Sequence, residues 1–237
     1  MNNKFYGSRF LQARMFYGLS LQDLGEKIGV SRQYLQKIES ELCAPSEDIL
    51  NCISEVLHVE PIFFSRPITN LLLENQCHFR KAKTTSANIK IRATQQAAMY
   101  AELVSFIDKY VDFPQIDFPQ TEITDAESIE LAAEMCRNHW KLGCDRPISN
   151  MIRVLENAGA IVTTFKDISD KIDAFSTSRS RPIVIENNVT ACRMRFDLAH
   201  ECGHLVMHEG IETGDTETES QAHRFASAFL LPREAFI

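Results

Sequence analysis

In the stretch "DLAHECGHLVMH", Asp197 to His208, two histidines stand four residues apart with a glutamate directly after the first. The spacing suits a helix. Four residues of α-helix turn through about 400°, so His200 and His204 project from one face about 6 Å apart along the axis, where their ring nitrogens can share one zinc ion. Glu201 lies about 100° round from His200, beside such an ion rather than on it. From there it can take a proton from an attacking water and pass it to a leaving amine. Cys202 falls about 160° from the mean direction of the two histidines and reads as packing.

A catalytic zinc takes three protein ligands and leaves a fourth position open. The metzincin extension would place a histidine six residues after His204, where this chain has Gly210, so that pattern is excluded. His208 continues the same helical face about 6 Å further along, too far for the same ion. A better source is "TETESQAHRFASAFLLP", in which Glu219, Ala222, Phe225, Ala226 and Phe229 define a second amphipathic helix. Its start could bring Glu219 to the metal.

Upstream, "DAESIELAAEMCRNHWKLG" reads as a helix to about Leu142, and "RPISNMIRVLENAG" as another closed by Gly159. Three strand-like runs follow, "AIVTTFK", "DAFSTS" and "PIVIEN", the last rich in β-branched residues. Two helices, a small sheet and then H-E-x-x-H on a helix make an α+β, zincin-like arrangement.

The first sixty-odd residues have a different pattern. Phe10, Ala13 and Phe16 or Tyr17 mark a short helix ended at Gly18. Ser20 caps a second, with Asp23 completing a capping box, Leu21, Leu24 and Ile28 facing inward, and Gly29 closing it. Ser31 caps a third, whose inward residues are Leu35 and Ile38 and whose outer face carries Arg32, Gln33, Gln36 and Lys37. Ser46 caps a fourth. Two short helices joined by a tight glycine turn, the second presenting long hydrogen-bonding side chains, suit a reader of the DNA major groove. Arginine pairs two-pronged with guanine and glutamine with adenine.

Between these halves, the segment from Pro61, "PIFFSRPITNLLLENQCHFRKAKTT", is a connection with apolar runs to cover and a basic patch at Arg80, Lys81 and Lys83. Ser86 to about Val111 follows as a long helix of about 26 residues and about 39 Å, able to bridge the halves or pack on a second copy. Pro114 and Pro119 end it. The expected division is a helix-turn-helix domain at 1–66, a connecting region at 67–120 and the metal-site domain at 121–237.

Charge follows the same division. The formal net charge is -7, yet residues 1–40 hold six lysines and arginines against three acids, while from Asp197 onward eight acids face Arg224 and Arg233. An anionic partner suits the first segment and a cation the last. Seven cysteines without a C-x-x-C pair argue for reduced thiols. No apolar run is long enough for a bilayer and "MNNKFYGSRF" lacks a signal-peptide core, so a cytoplasmic protein without membrane attachment is expected.

Two resemblances sharpen this. "LSLQDLGEKIGVSRQYLQKIES" resembles a Cro/repressor-type (XRE) helix-turn-helix, through Leu24 and Gly25 in the second helix, Gly29 and Val30 in the turn, and Ser31, Leu35, Ile38 and Glu39 in the third. The resemblance implies that Gln22 touches a backbone phosphate and that Ser31, Arg32, Gln33, Gln36 and Lys37 face the groove. Glu41, Glu47 and Asp48 follow the recognition helix and weaken phosphate attraction, so a homodimer on a palindromic operator in double-stranded DNA is expected.

"HECGHLVMH" followed by "ESQAHRFASAFLLP" resembles the ImmA/IrrE family of zinc metallopeptidases, with H-E-x-G-H and then E-x-x-A-x-x-F-A ending in Leu-Pro. Fusions of that family behind an XRE domain are common, and "HFRK", "VDFP" and "RNHWKLG" fit them. What the resemblance implies is Zn2+ held by His200, His204 and Glu219, Glu201 as general base, and "PIVIEN" as an edge strand able to hold an extended peptide. Four residues after Glu219 the family usually has a short polar residue that orients a ligand histidine. His223 stands there instead, with two roles open: orienting a ligand through one ring nitrogen, or competing as a ligand. Such fusions usually continue past the position of Ile237, which leaves both a short natural form and a shortened chain open. The expected function is a DNA-binding regulator whose zinc endopeptidase domain cleaves or controls a repressor-like or antitoxin-like protein. The alternative is a zinc-stabilised repressor or antitoxin without proteolysis.

Overall fold

Serine side chains start three of the N-terminal helices. The computed structural model describes residues 4–68, 77–81, 87–165, 172–177, 181–187, 190–211, 213 and 215–236. The runs Leu71 to Leu73, Lys83 and Ile237, singled out in the sequence, lie outside the described residues, as do the side chains of Arg80 and Lys81. The chain divides into two compact units, Met1–Leu72 with Ser86–Val104, and Leu73–Thr85 with Ser105–Ile237.

Among the described residues the first unit's elements are all helical: α1 (Gly7–Phe16), α2 (Leu21–Ile28), α3 (Arg32–Glu39), α4 (Glu47–Val56), a 3-10 turn at Pro61–Ser65 and most of α5 (Ala87–Ile107). Ser20 Oγ accepts from Asp23 N at 3.0 Å and Asp23 Oδ2 accepts from Ser20 N at 2.9 Å, the reciprocal capping box expected for α2. Ser31 and Ser46 cap α3 and α4 through Tyr34 N and Ile49 N. A side chain at Gly25 would put its Cβ 2.6 Å from the Val30 carbonyl oxygen, so only glycine lets the turn fold back on α2. Phe10, Leu24, Leu35, Ile38, Ile53, Leu57 and Phe64 fill the core. Arg14 donates to both carboxylate oxygens of Glu39, joining α1 to α3. Gln96 and Arg92 of α5 donate to Phe16 O at the end of α1. The long helix is shorter than its apolar pattern suggested and stops at Ile107, although a turn of hydrogen bonds continues to Val111.

The second unit contains β1 (Cys77–Lys81), α6 (Ala126–His139), α7 (Met151–Asn157), β2 (Ile161–Thr163), β3 (Ile172–Thr177), β4 (Ile183–Glu186), α8 (Ala191–Met207) and α9 (Thr216–Leu230). Among the described residues its four strands run in the order β1-β3-β4-β2, antiparallel except for the β4–β2 pair. Two expectations are corrected here. The segment at Cys77–Lys81, read as part of the connection, is a strand paired with β3. "PIVIEN" is not an edge: β4 is hydrogen-bonded on both sides, and all four of its residues are buried. A continuous β-branched run is the signature of a strand covered on both faces, whereas an exposed edge alternates with polar residues. β1 and β2 are the edges.

Leu198, Ala199, Cys202, Leu205 and Val206 of α8 meet Ala222, Phe225, Ala226 and Phe229 of α9, with α6 and α7 closing the core. Arg137, fully buried on α6, donates to the carbonyls of Gly143, Arg146 and Phe229 and so ties α6 and its following loop to the last turn of α9.

Candidate metal centre

The two helices that carry the candidate ligands are held close by a missing side chain. A Cβ on Gly203 would approach Phe225 to 3.0 Å, so this glycine in the middle of α8 lets α9 lie against it. At the start of α9, Asp215 Oδ1 accepts from Glu217 N and Thr218 N, fixing the first turn that carries Glu219.

The approach brings three side chains together. His200 Nε2 and His204 Nε2 are 3.1 Å apart, Glu219 Oε2 is 3.5 Å from the first, and Glu219 Oε1 is 3.4 Å from the second. One ligand atom from each of the three lies within 4.8 Å of the others. His200 and His204 are buried, while the Glu219 side chain retains 22% exposure. Glu201 follows His200 on α8 and is fully buried. Cys202 packs in the core, where burial pushes its thiol well above its ordinary pKa and keeps it from acting as a thiolate.

The outward nitrogens of both histidines are occupied. His200 Nδ1 faces His223 Nδ1 at 2.8 Å, on the side of the ring away from Glu219. His204 Nδ1 faces His208 Nδ1 at 2.9 Å, and His208 Nε2 faces Gln221 Oε1 at 2.7 Å. The sequence flagged His208 only as a distant ligand and passed over Gln221. Three histidines at a spacing of four were the available signal, since His208 shares the face of His200 and His204.

Burial pushes the pKa of His204 down to about 4, so near neutral pH its ring is uncharged. Burial also lowers that of His208. Burial alone would raise the Glu219 carboxyl, but the imidazoles of His200 and His204, 3.5 and 3.4 Å from its oxygens, hold it well below the usual carboxylate range. Two imidazoles and one carboxylate converging on a point are the donor set that Zn2+ takes in sites with three protein ligands. The residues present fit the ion.

Residues 156–237 match the family model of the IrrE N-terminal-like domain, and residues 12–64 match the helix-turn-helix model. One segment of this chain is thus similar to the IrrE N-terminal-like domain and another to the helix-turn-helix domain. No curated protein and no solved structure matches it. The IrrE-like segment runs from the last two residues of α7 through α9 to residue 237 and so contains His200, His204, Glu219 and His223.

In the helix-turn-helix domain, Gln22, Ser31, Arg32, Gln33, Gln36 and Lys37 are all exposed and line one groove of about 770 Å³ between α2 and α3. Some of these side chains hold local partners: Gln22 donates to Glu26, and Gln36 to Ser40. A neighbouring groove shares Gln22, Arg32 and Gln36 and extends to Asn88 and Arg92 of α5, which sequence reasoning did not connect with this face. Among the described residues no helix is long and apolar enough to cross a membrane.

Proposed function

We propose that this chain is a cytoplasmic DNA-binding regulator whose IrrE-like domain is a zinc-dependent endopeptidase acting on a protein partner, of repressor or antitoxin type, at the operator it occupies. The observation that carries the reading is the convergence of His200 Nε2, His204 Nε2 and the Glu219 carboxylate on one point. Zinc bound there would supply Lewis-acid polarisation of the scissile carbonyl and a more acidic water. His200, His204 and Glu219 hold the ion, and His223 orients His200 from behind. Glu201 takes the proton of the water that attacks the carbonyl carbon and delivers it to the amine nitrogen as the C–N bond breaks. With β4 inside the sheet, an extended substrate would have to pair with β1 or β2 instead.

Glu201→Gln is expected to keep its zinc and to lose cleavage of the neighbouring operon protein by roughly a hundredfold or more, the scale of a general base. Zinc-loaded wild type that cleaves no such protein, together with unchanged regulation in Glu201→Gln, would leave the zinc-stabilised, non-proteolytic repressor or antitoxin as the reading.

On the DNA side a homodimer on a palindromic site is proposed, with Gln22 on phosphate and Ser31, Arg32, Gln33, Gln36 and Lys37 in the major groove. Arg32→Ala and Gln33→Ala should each cost about 1–3 kcal/mol of operator binding and relax the base preference. Gel-shift titrations at two salt concentrations measure this. Equal affinity and unchanged preference in both variants would reduce the domain to a dimerisation module.

A further inference from the structure

We infer that Gln221 and His208 act as positioning residues that fix the tautomer of His204, and that they thereby set the affinity of the site for its metal ion. The inference rests on the metal reading above. Its support is a line of hydrogen bonds whose direction is set at the outer end. Gln221 Nε2 lies 3.5 Å from Glu217 Oε1, one turn back on α9. An ionised carboxylate only accepts, so the amide nitrogen points there and the amide oxygen faces inward.

That oxygen stands 2.7 Å from His208 Nε2. A carbonyl oxygen also only accepts, so His208 carries its proton on Nε2 and presents a lone pair on Nδ1. Across 2.9 Å, His204 Nδ1 must then be the donor. A neutral imidazole protonated on Nδ1 keeps its lone pair on Nε2, the atom that faces His200 and Glu219. Each partner therefore leaves the next with one role, and the last role is that of a metal ligand. His208 is 2% exposed, which leaves water little access to it as an alternative partner. Gln221, half-buried, lines with His208 an open groove of about 940 Å³ and can be changed without disturbing the core.

The test is the zinc affinity of the full-length chain, by competition with a chromophoric chelator, alongside the tautomers of His204 and His208 from long-range proton–nitrogen NMR of the imidazoles. Gln221→Lys offers only a donor. His208 would then accept at Nε2 and donate from Nδ1, which forces His204 to hold its proton on the ligand nitrogen. Zinc binding is expected to weaken by roughly ten- to a hundredfold. Gln221→Glu accepts as the amide oxygen does and should bind zinc at least as tightly as wild type. Ser220→Lys adds the same charge one residue away and should leave the affinity unchanged. Equal weakening by the Glu and Lys variants would mean a packing role, and equal weakening by Ser220→Lys a field effect. Either result overturns the inference, as does a Gln221→Lys protein with wild-type affinity or a His208 ring protonated on Nδ1. Wild type that binds no zinc would instead overturn the metal reading beneath it.

Discussion

Arg137→Met is expected to destabilise the C-terminal unit by about 3 kcal/mol or more, because it strands carbonyl groups that have lost their donor. The guanidinium is fully buried and serves three backbone oxygens, those of Gly143, Arg146 and Phe229. Methionine fills much the same volume and donates nothing. A buried acceptor left unsatisfied costs about 1–3 kcal/mol, and three such groups are affected, of which those in the loop can regain water. Phe229 lies in the last turn of α9, so the loss should also loosen the helix that presents Glu219. Denaturant unfolding followed by circular dichroism measures the change. A loss below about 1 kcal/mol would mean that the loop rehydrates fully and that Arg137 is dispensable to the fold.

Glu219→Ala should leave the fold intact and lower zinc affinity roughly a hundredfold. A structural zinc site of four ligands binds with about 10–16 kcal/mol, or about 3 kcal/mol per ligand, which corresponds to about two decades in affinity. The fold survives because Glu219 is only partly buried and Asp215 still caps α9. His200 and His204 alone would hold the ion loosely. Chelator competition reads the difference directly, and an affinity equal to wild type would remove Glu219 from the ligand set.

What the sequence revealed depended on how local the cause was. Ser20, Ser31 and Ser46 cap helices through backbone groups three residues away, and these are the helix starts the sequence marked correctly. Gly25 and Gly29 carry the turn for equally local reasons. The strand at Cys77–Lys81 was missed because its partner, Ile172–Thr177, is about a hundred residues distant and nothing within the segment announces it. The position of β4 was readable and was misread, since Ile183, Val184 and Ile185 form the unbroken β-branched run of an interior strand.

At the candidate metal centre, helical spacing alone aligned His200 with His204, whereas bringing Glu219 to them required the resemblance as well. The contact of His208 with Gln221 depends on how closely α9 approaches α8. That distance is set by Gly203 against Phe225, a packing relation no periodicity encodes.

The central claim is that His200, His204 and Glu219 hold one catalytic zinc ion. Metal analysis and zinc X-ray absorption on the purified full-length chain test it most directly. One zinc per chain is expected, with two imidazole nitrogens at about 2.0–2.1 Å and oxygen in the remaining positions. A chain that carries no zinc after exposure to it, or a spectrum with sulfur ligands and no imidazole scattering, would contradict it.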